Sequence, residues 1–261
     1  MNIDIVILAG GNSSRMSSNL PKFLLEIANK PMISHIIEQY KLLDFSNIYV
    51  VTPPKYSSCP ILSDVNVVVQ PVPNGNASAL LLTLPYLNSE YTIVQYADMP
   101  LITHEDISNL CTNTGNDLVF IAGILPNDLI SKPYGRVFLD NNNNFDKLIE
   151  YRDLTIEQRN QKLFNTGFYM FKTSILKQYL DKVPYHQGVQ ERYITDIFGI
   201  LKNNNKLIKV VIASNYQNFH GVNTQEELKV ANNIMMNRLK IYYNNYYNNE
   251  INMEHKSCKI V

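Results

Sequence analysis

No run of this chain stays apolar for the roughly 18 residues that cross a bilayer, so the sequence predicts no membrane span. Net charge is also missing. The 23 Lys and Arg are matched by 23 Asp and Glu, which argues against an extended basic surface gripping nucleic acid and for a small-molecule partner. Cysteine is scarce: Cys59, Cys111 and Cys258 are far apart, odd in number and in no metal-ligand spacing, as expected of a cytoplasmic protein. The opening MNIDIVIL has an acid inside its apolar run and lacks the basic start and small-residue cleavage site of a secretory signal. It reads as a first strand. The closing Cys-Lys-Ile-Val has the length of a prenylation box, but Lys259 is not aliphatic and no second membrane signal accompanies it. No internal repeat is visible, and the two commonest phosphate loops are absent: neither Gly-Lys-Ser/Thr of the Walker type nor Gly-x-Gly-x-x-Gly occurs.

The loop after the first strand is nonetheless suited to anions. In VILAGGNSSRMSSNLPKFLLEI, Gly10 and Gly11 let backbone turn sharply and approach a ligand, while Ser13, Ser14, Arg15 and Lys22 supply hydroxyls and cations. The competing account is an ordinary strand-to-helix turn with solvated charges, and this stretch alone does not separate the two.

The rest of the chain supplies context. Its 261 residues, 45% of them hydrophobic, can bury the core of one large domain. Apolar runs alternate with helical spacing through the first half: a helix over 31–43, strands at 48–52 and 65–69, a helix over 77–84 and a strand at 92–96. That is βαβ order, which predicts an α/β fold with ligands beyond the carboxyl ends of the strands. The second half reads as a mixed-sheet substrate half. It has strands at 117–124, 137–139, 147–150, 164–171 and 207–211, helices over 173–180, 195–202 and 224–243, and a frayed tail after Tyr243.

Five stretches add candidate chemistry. In QYADMPLI, Asp98 follows a strand and could hold a hard divalent cation, although a strand-ending Asp is commonly a turn residue. Asn223 in FHGVNT could be a second ligand or a helix cap. In QPVPNGNASAL, the Gln70 amide can face a base edge and Gly75 lets backbone approach the ring. PYGRV through LIEYRD brings Gly135 and Glu150, and FNTGFYMF brings Asn165, a set able to bond sugar hydroxyls. Ordinary turn and strand polarity is the alternative for each.

Together these stretches resemble, in unbroken order from about residue 3 to 233, the uridyltransferase domain of the bifunctional N-acetylglucosamine-1-phosphate uridyltransferases, members of the sugar-nucleotidyltransferase family. LPKFLLEIANKPMISHII, IEQRNQKLFNTG, YITDI and GVNTQEEL extend the match. The resemblance implies a Rossmann-like nucleotidyltransferase fold with a mixed, mostly parallel sheet flanked by helices. It also implies magnesium (Mg2+) dependence and synthesis of UDP-N-acetylglucosamine from UTP and N-acetylglucosamine 1-phosphate, with pyrophosphate released. By the same resemblance Leu8, Ala9, Gly10 and Gly11 contact the nucleotide, Arg15 and Lys22 the triphosphate, and Gln70, Gly75 and Asn76 the uracil side. Tyr96, Ala97 and Asp98 border ribose and metal, Gly135, Glu150 and Asn165 line the sugar, and Asp98 with Asn223 holds Mg2+.

The departures define what stays open. The usual Leu-Ala-Ala-Gly is Leu8-Ala9-Gly10-Gly11, Gly-Thr-x-His-Ala is Gly75-Asn76-Ala77-Ser78-Ala79, and Tyr-Gly-Asp is Tyr96-Ala97-Asp98. Asn76 and Ala97 fall on the base and ribose side, so another base or phosphorylated acceptor is the nearest alternative, and a non-catalytic nucleotide-binding module is the other. The acetyltransferase half of those enzymes, a β-helix of hexapeptide repeats, has no counterpart in the 261 residues. The expectation is therefore a transferase domain over 1–245 with a tail over 246–261, no acetylation of glucosamine 1-phosphate, and a monomer or weak dimer.

Overall fold

The computed structural model describes residues 2–11, 16 and 20–257, with side chains to residue 242 and at 244. The expectations for Ser13, Ser14, Arg15 and the last four residues lie outside the described residues. In chain order the elements are β1 (Ile3–Leu8), β2 (Glu26–Ile27), β3 (Lys30–Pro31), α1 (Met32–Lys41), β4 (Asn47–Thr52) and β5 (Asn66–Val69). Then come α2 (Asn76–Leu81), β6 (Tyr91–Tyr96), α3 (His104–Cys111), β7 (Leu118–Ile124), β8 (Arg136–Leu139) and β9 (Phe145–Ile149). The last are β10 (Leu163–Lys172), α4 (Thr173–Tyr179), α5 (Asp196–Asn203), β11 (Ile208–Ile212) and α6 (Gln225–Ser257). Among the described residues no helix is long and apolar enough to cross a membrane.

β1 is buried along its whole length because it is an interior parallel strand, covered on both faces. Alternate residues serve different layers. Val6 and Leu8 pack with Val94, Phe120 and Phe171 on one face, while Ile5 and Ile7 pack with Ile36, Ile93 and Met170 on the other. The acid inside this run, Asp4, accepts hydrogen bonds from the Asn88 and Ser89 amides and the Asn47 side chain, which satisfies a fully buried carboxylate.

The main sheet runs β11-β7-β10-β6-β1-β4-β5, with β8 joined to β10 and β9 to β8. The pairs β1/β4, β1/β6, β4/β5 and β7/β11 are parallel, and β10 is antiparallel to β6, β7 and β8. From β1 the chain moves outward through β4 to β5, then crosses back to place β6 on the other side of β1. That reversal opens a crevice beyond Leu8 and Tyr96, which are register partners.

Each of the strands and helices read from periodicity is present within a few residues. Two elements were not anticipated. α3 begins with a capping box in which Thr103 Oγ1 accepts from the Asp106 amide and the Asp106 carboxylate accepts from the Thr103 amide. A small hairpin, β2 and β3, turns through Ala28 and Asn29, both with positive φ. A third difference is the last helix, which continues past Tyr243 to Ser257 rather than fraying. Its sequence contains neither Pro nor Gly to stop it.

Candidate active site

The reversal crevice gathers residues from five separate segments. Leu8, Ala9, Gly10 and Gly11 form its floor beside Gln70, Gly75, Asn76, Tyr96, Ala97 and Asp98, around a cavity of about 280 Å3. Ala9 donates to the Val51 carbonyl and Ala97 to that of Leu8, so this backbone is fixed by the neighbouring strands. Gly10 is small for a visible reason: a Cβ there would lie 2.6 Å from Gln70 Oε1. Ala97 is buried and packs into the cluster with Ala9, Phe23 and Met99.

Gln70 and Asn76 are held by local bonds. Gln70 Nε2 donates to Asn74 Oδ1 at 3.2 Å and to the Gly75 carbonyl at 3.3 Å. Asn76 Nδ2 donates to the Tyr96 hydroxyl at 2.8 Å, and its Oδ1 accepts from the Ile194 amide at 2.8 Å. The Asn74 carbonyl accepts from Arg192 N, and the Arg192 carbonyl accepts from Ala77 N. The turn into α2 is thereby laced to residues 192–194, whose neighbours Glu191 and Tyr193 also line the cavity.

A second cavity of about 560 Å3 adjoins the first, sharing Asn76, Tyr96, Asp98 and Tyr193 with it. Gly135, Glu150, Asn165 and Asn223 line it. Gly135 and Asn165 are fastened together, the Asn165 amide donating to the Gly135 carbonyl at 2.9 Å. Asn165 Nδ2 donates to the Tyr169 hydroxyl at 2.8 Å. Asn76 with Tyr96 and Asn165 with Tyr169 are thus two hydrogen-bonded pairs, and all four residues line the second cavity. Burial holds both phenols above their ordinary range, so they act as neutral hydroxyls.

The place of the Tyr96 ring depends on a bulge. Between Asn165 and Tyr169, three residues of β10 run opposite one of β7, Ile121, and Gly167 takes φ +85°. A Cβ on Gly167 would come within 2.6 Å of the Tyr96 ring, so the glycine makes room for it.

Where the cavities meet, Lys22 Nζ donates to Asn223 Oδ1 at 2.6 Å and stands 3.5 Å from Asp98 Oδ2. The Asp98 carbonyl accepts from Val222 N, which brings the chain ahead of α6 against the end of β6. Behind them, Gln95 is buried, accepting from the Tyr40 hydroxyl and donating to the Met99 carbonyl, which anchors the turn carrying Asp98. Desolvation raises the Asp98 carboxyl above its ordinary value even with Lys22 opposite it. Among the described residues no three His, Cys, Asp or Glu converge on a metal. The available cation donors are one carboxylate and one amide oxygen.

Of the residues anticipated from sequence, all the described ones line this double cavity. Arg15 lies outside the described residues. Residues not anticipated are Glu191, Tyr193 and Tyr169 in the lining and the buried pair Tyr40 and Gln95 behind it. Tyr193 was legible through the YITDI motif. The Tyr40 contact was not, since it joins residues 55 positions apart.

A mixed, mostly parallel sheet with a double cavity at its reversal point places the chain among α/β proteins that hold a ligand beyond the carboxyl ends of their strands. Two solved structures share the fold. A CMP:2-keto-3-deoxy-manno-octonic acid synthetase complexed with CTP has TM-score 0.67 and 20% identity, covering 90% of this chain and 99% of that one. A Bacillus anthracis protein described as a glucose-1-phosphate thymidylyltransferase has TM-score 0.68 and 19% identity, covering 89% of this chain and 94% of that one.

Residues 5–124 match the MobA-like NTP transferase domain. The bifunctional protein GlmU of Campylobacter fetus is 34% identical over 244 residues, 91% of this chain and 55% of that protein. GlmU of Francisella tularensis subsp. novicida is 31% identical over 232 residues, 87% of this chain and 50% of that protein. The chain spans about half the length of these relatives. Its residues 5–124 are a MobA-like NTP transferase domain, and most of its length is similar to about half of those relatives.

Proposed function

We propose that this chain is a magnesium-dependent sugar-1-phosphate uridylyltransferase, making UDP-N-acetylglucosamine and pyrophosphate from UTP and N-acetylglucosamine 1-phosphate. The observation that carries the reading is the junction of two cavities at Lys22, Asp98 and Asn223. A transferase must bring a nucleotide and a phosphorylated acceptor to one point from two sides.

In this reading Leu8, Ala9, Gly10 and Gly11 present backbone to the nucleotide, Gln70, Gly75 and Asn76 border the base, and Tyr96 and Ala97 border the ribose. Gly135, Glu150 and Asn165 receive the sugar. An oxygen of the sugar 1-phosphate attacks the α-phosphorus, forming a new P–O bond as the bond to the β-phosphate oxygen breaks and pyrophosphate leaves. Lys22 and Arg15 offset the charge gathering on that leaving group, so positioning and electrostatics do most of the work.

The donor set fits magnesium, which takes oxygen ligands and often only one or two protein groups beside substrate phosphates and water. Asp98 and Asn223 would hold it, and the desolvated Asp98 carboxyl has reason to recruit a cation. When bound, the ion supplies Lewis-acid polarisation of phosphate oxygens.

One feature supports uracil over cytosine. Both protons of the Gln70 amide are directed to Asn74 and Gly75. Its remaining function, Oε1, accepts only, and suits the ring N–H of uracil but not the bare ring nitrogen of cytosine.

The test is pyrophosphate release with Mg2+ across four nucleoside triphosphates and several sugar 1-phosphates, with Asp98→Ala as control. Turnover confined to UTP with N-acetylglucosamine 1-phosphate, and lost in the control, supports the reading. A different productive pair replaces its substrates, and silence across the grid with nucleotide still bound turns it into a binding module.

A further inference from the structure

Glu227 lies in the first turn of α6, where its amide donates to Thr224 Oγ1 at 3.2 Å in ordinary helix capping. Its carboxylate does something else. Oε2 accepts from the Asn223 backbone amide at 2.9 Å, and Oε1 accepts from Lys132 Nζ at 2.8 Å. Lys132 is 95 positions away in sequence and belongs to the segment that leads into β8 and walls the second cavity with Pro133, Tyr134 and Gly135.

That wall segment is pinned from behind as well. The fully buried Arg136 donates to the carbonyls of Ile130, Lys132 and Tyr134, gathering three carbonyls of one short segment onto one guanidinium. Tyr134 stacks on Phe164 with centroids 4.8 Å apart, and its hydroxyl meets His220 Nδ1 at 3.2 Å. The segment is therefore held together within itself, and among the described residues its side-chain cross-ties to the chain beside Asn223 include Tyr134 to His220 and Lys132 to Glu227. The second reaches Asn223 through the Glu227 carboxylate.

We infer that Glu227 is a positioning residue that couples the cation-holding pair, Asp98 and Asn223, to the sugar-side wall, so that ordering either one orders the other. The inference rests on the reading of Asp98 and Asn223 as cation ligands. Its physical basis is that a half-buried carboxylate tied at both oxygens has one orientation, whereas one released by Lys132 can rotate away from Asn223. A divalent cation and a sugar phosphate then bind with positive cooperativity, each meeting a site already fixed by the other.

The experiment measures Mn2+ binding directly, by electron paramagnetic resonance of the free ion, on intact protein loaded with α,β-methylene-UTP. Lys132→Met removes no cation ligand, yet it should weaken Mn2+ about five- to tenfold, and Lys132→Arg should return binding to within about twofold of the original protein. Glu227→Gln, which keeps an acceptor for Asn223 but loses the ion pair, should match Lys132→Met, and the double variant should be no worse than either single one. Thermal melting is recorded alongside. Lowered melting temperature with unchanged Mn2+ binding, additive single effects, or no Mn2+ bound by the original protein overturns the inference. Failure of the proposed reaction registers separately, as bound Mn2+ and nucleotide with no pyrophosphate from any substrate pair.

Discussion

Replacing Gly75 by alanine tests how the nucleotide side is built. Gly75 has φ +101° and ψ 164°, a region that side-chain-bearing residues avoid at a cost of about 1–3 kcal/mol. The added Cβ would stand 2.3 Å from the Arg192 carbonyl oxygen and 2.5 Å from Arg192 N, both backbone atoms that no rotamer can move. Reaching ordinary contact at 3.4 Å requires a displacement of about 1 Å between the two segments. Three hydrogen bonds cross that gap: Arg192 N to Asn74, Ala77 N to Arg192 and Ile194 N to Asn76. Losing them at about 1 kcal/mol each, with the strain, puts the expected loss at roughly 4–6 kcal/mol. A domain is stable by only about 5–15 kcal/mol, so the urea midpoint should fall by about 1–2 M. Gly11→Ala is the matched comparison, because among the described residues none outside its chain neighbours lies within 4 Å of its added Cβ, and its stability should change by no more than about 0.5 kcal/mol. A Gly75→Ala protein within about 1 kcal/mol of the original, binding UTP equally well, would refute the claim that this turn and residues 192–194 are locked together.

Gly167→Ala should displace the Tyr96 ring and break its bond to Asn76, costing about 2–3 kcal/mol and raising KM for both substrates. Denaturation midpoints with substrate titrations check it, and a KM change on one side only would deny that Tyr96 serves both cavities. His35 and His220 are both held below the ordinary imidazole value, chiefly by burial, so the folded state binds fewer protons than the unfolded one. Their stabilisation is complete above about pH 6.5 and is lost as pH falls through their lowered values. The raised Asp98 acts in the opposite sense, so the measurement compares melting curves of the original protein and His35→Gln between about pH 7.5 and 5.5. The variant should show the shallower decline, and identical slopes would remove His35 from the account.

The sequence displayed its sheet clearly where burial is two-sided. Ile5 to Leu8 and Leu118 to Ala122 are unbroken apolar runs because both of their faces are covered. α3 was missed because its short apolar stripe, Ile107 and Leu110, is diluted by polar residues, and only the Thr103 to Asp106 spacing marks it. The hairpin at 26–31 is two residues per strand, below the length at which alternation can be recognised. Within the site, strand ends were readable because parallel topology dictates where they point. Tyr40, Gln95 and Glu227 were not, since each acts through a residue far away in sequence and nothing local distinguishes it from an ordinary helix or strand residue.

Under the proposed function, base choice depends on how one amide is satisfied. Gln70 directs its two protons to Asn74 and Gly75, and among the described residues none donates to its Oε1. An amide held this way offers an acceptor to the cavity and cannot turn over without abandoning two bonds worth about 1 kcal/mol each. Under the proposed function, CTP would confront that oxygen with a second acceptor, a mismatch worth about 10²-fold or more in kcat/KM. Asn74→Ala removes one of the two anchors while leaving Gln70, Gly75 and Asn76 in place. Its expected effect is specific: the preference for UTP over CTP narrows by about fivefold, mostly through improved use of CTP, because the amide can now present its nitrogen for part of the time. Competitive turnover of the two nucleotides with N-acetylglucosamine 1-phosphate measures it. If UTP and CTP fall together in the variant, Asn74 supports only the turn, and discrimination resides in Asn76 or the backbone around it.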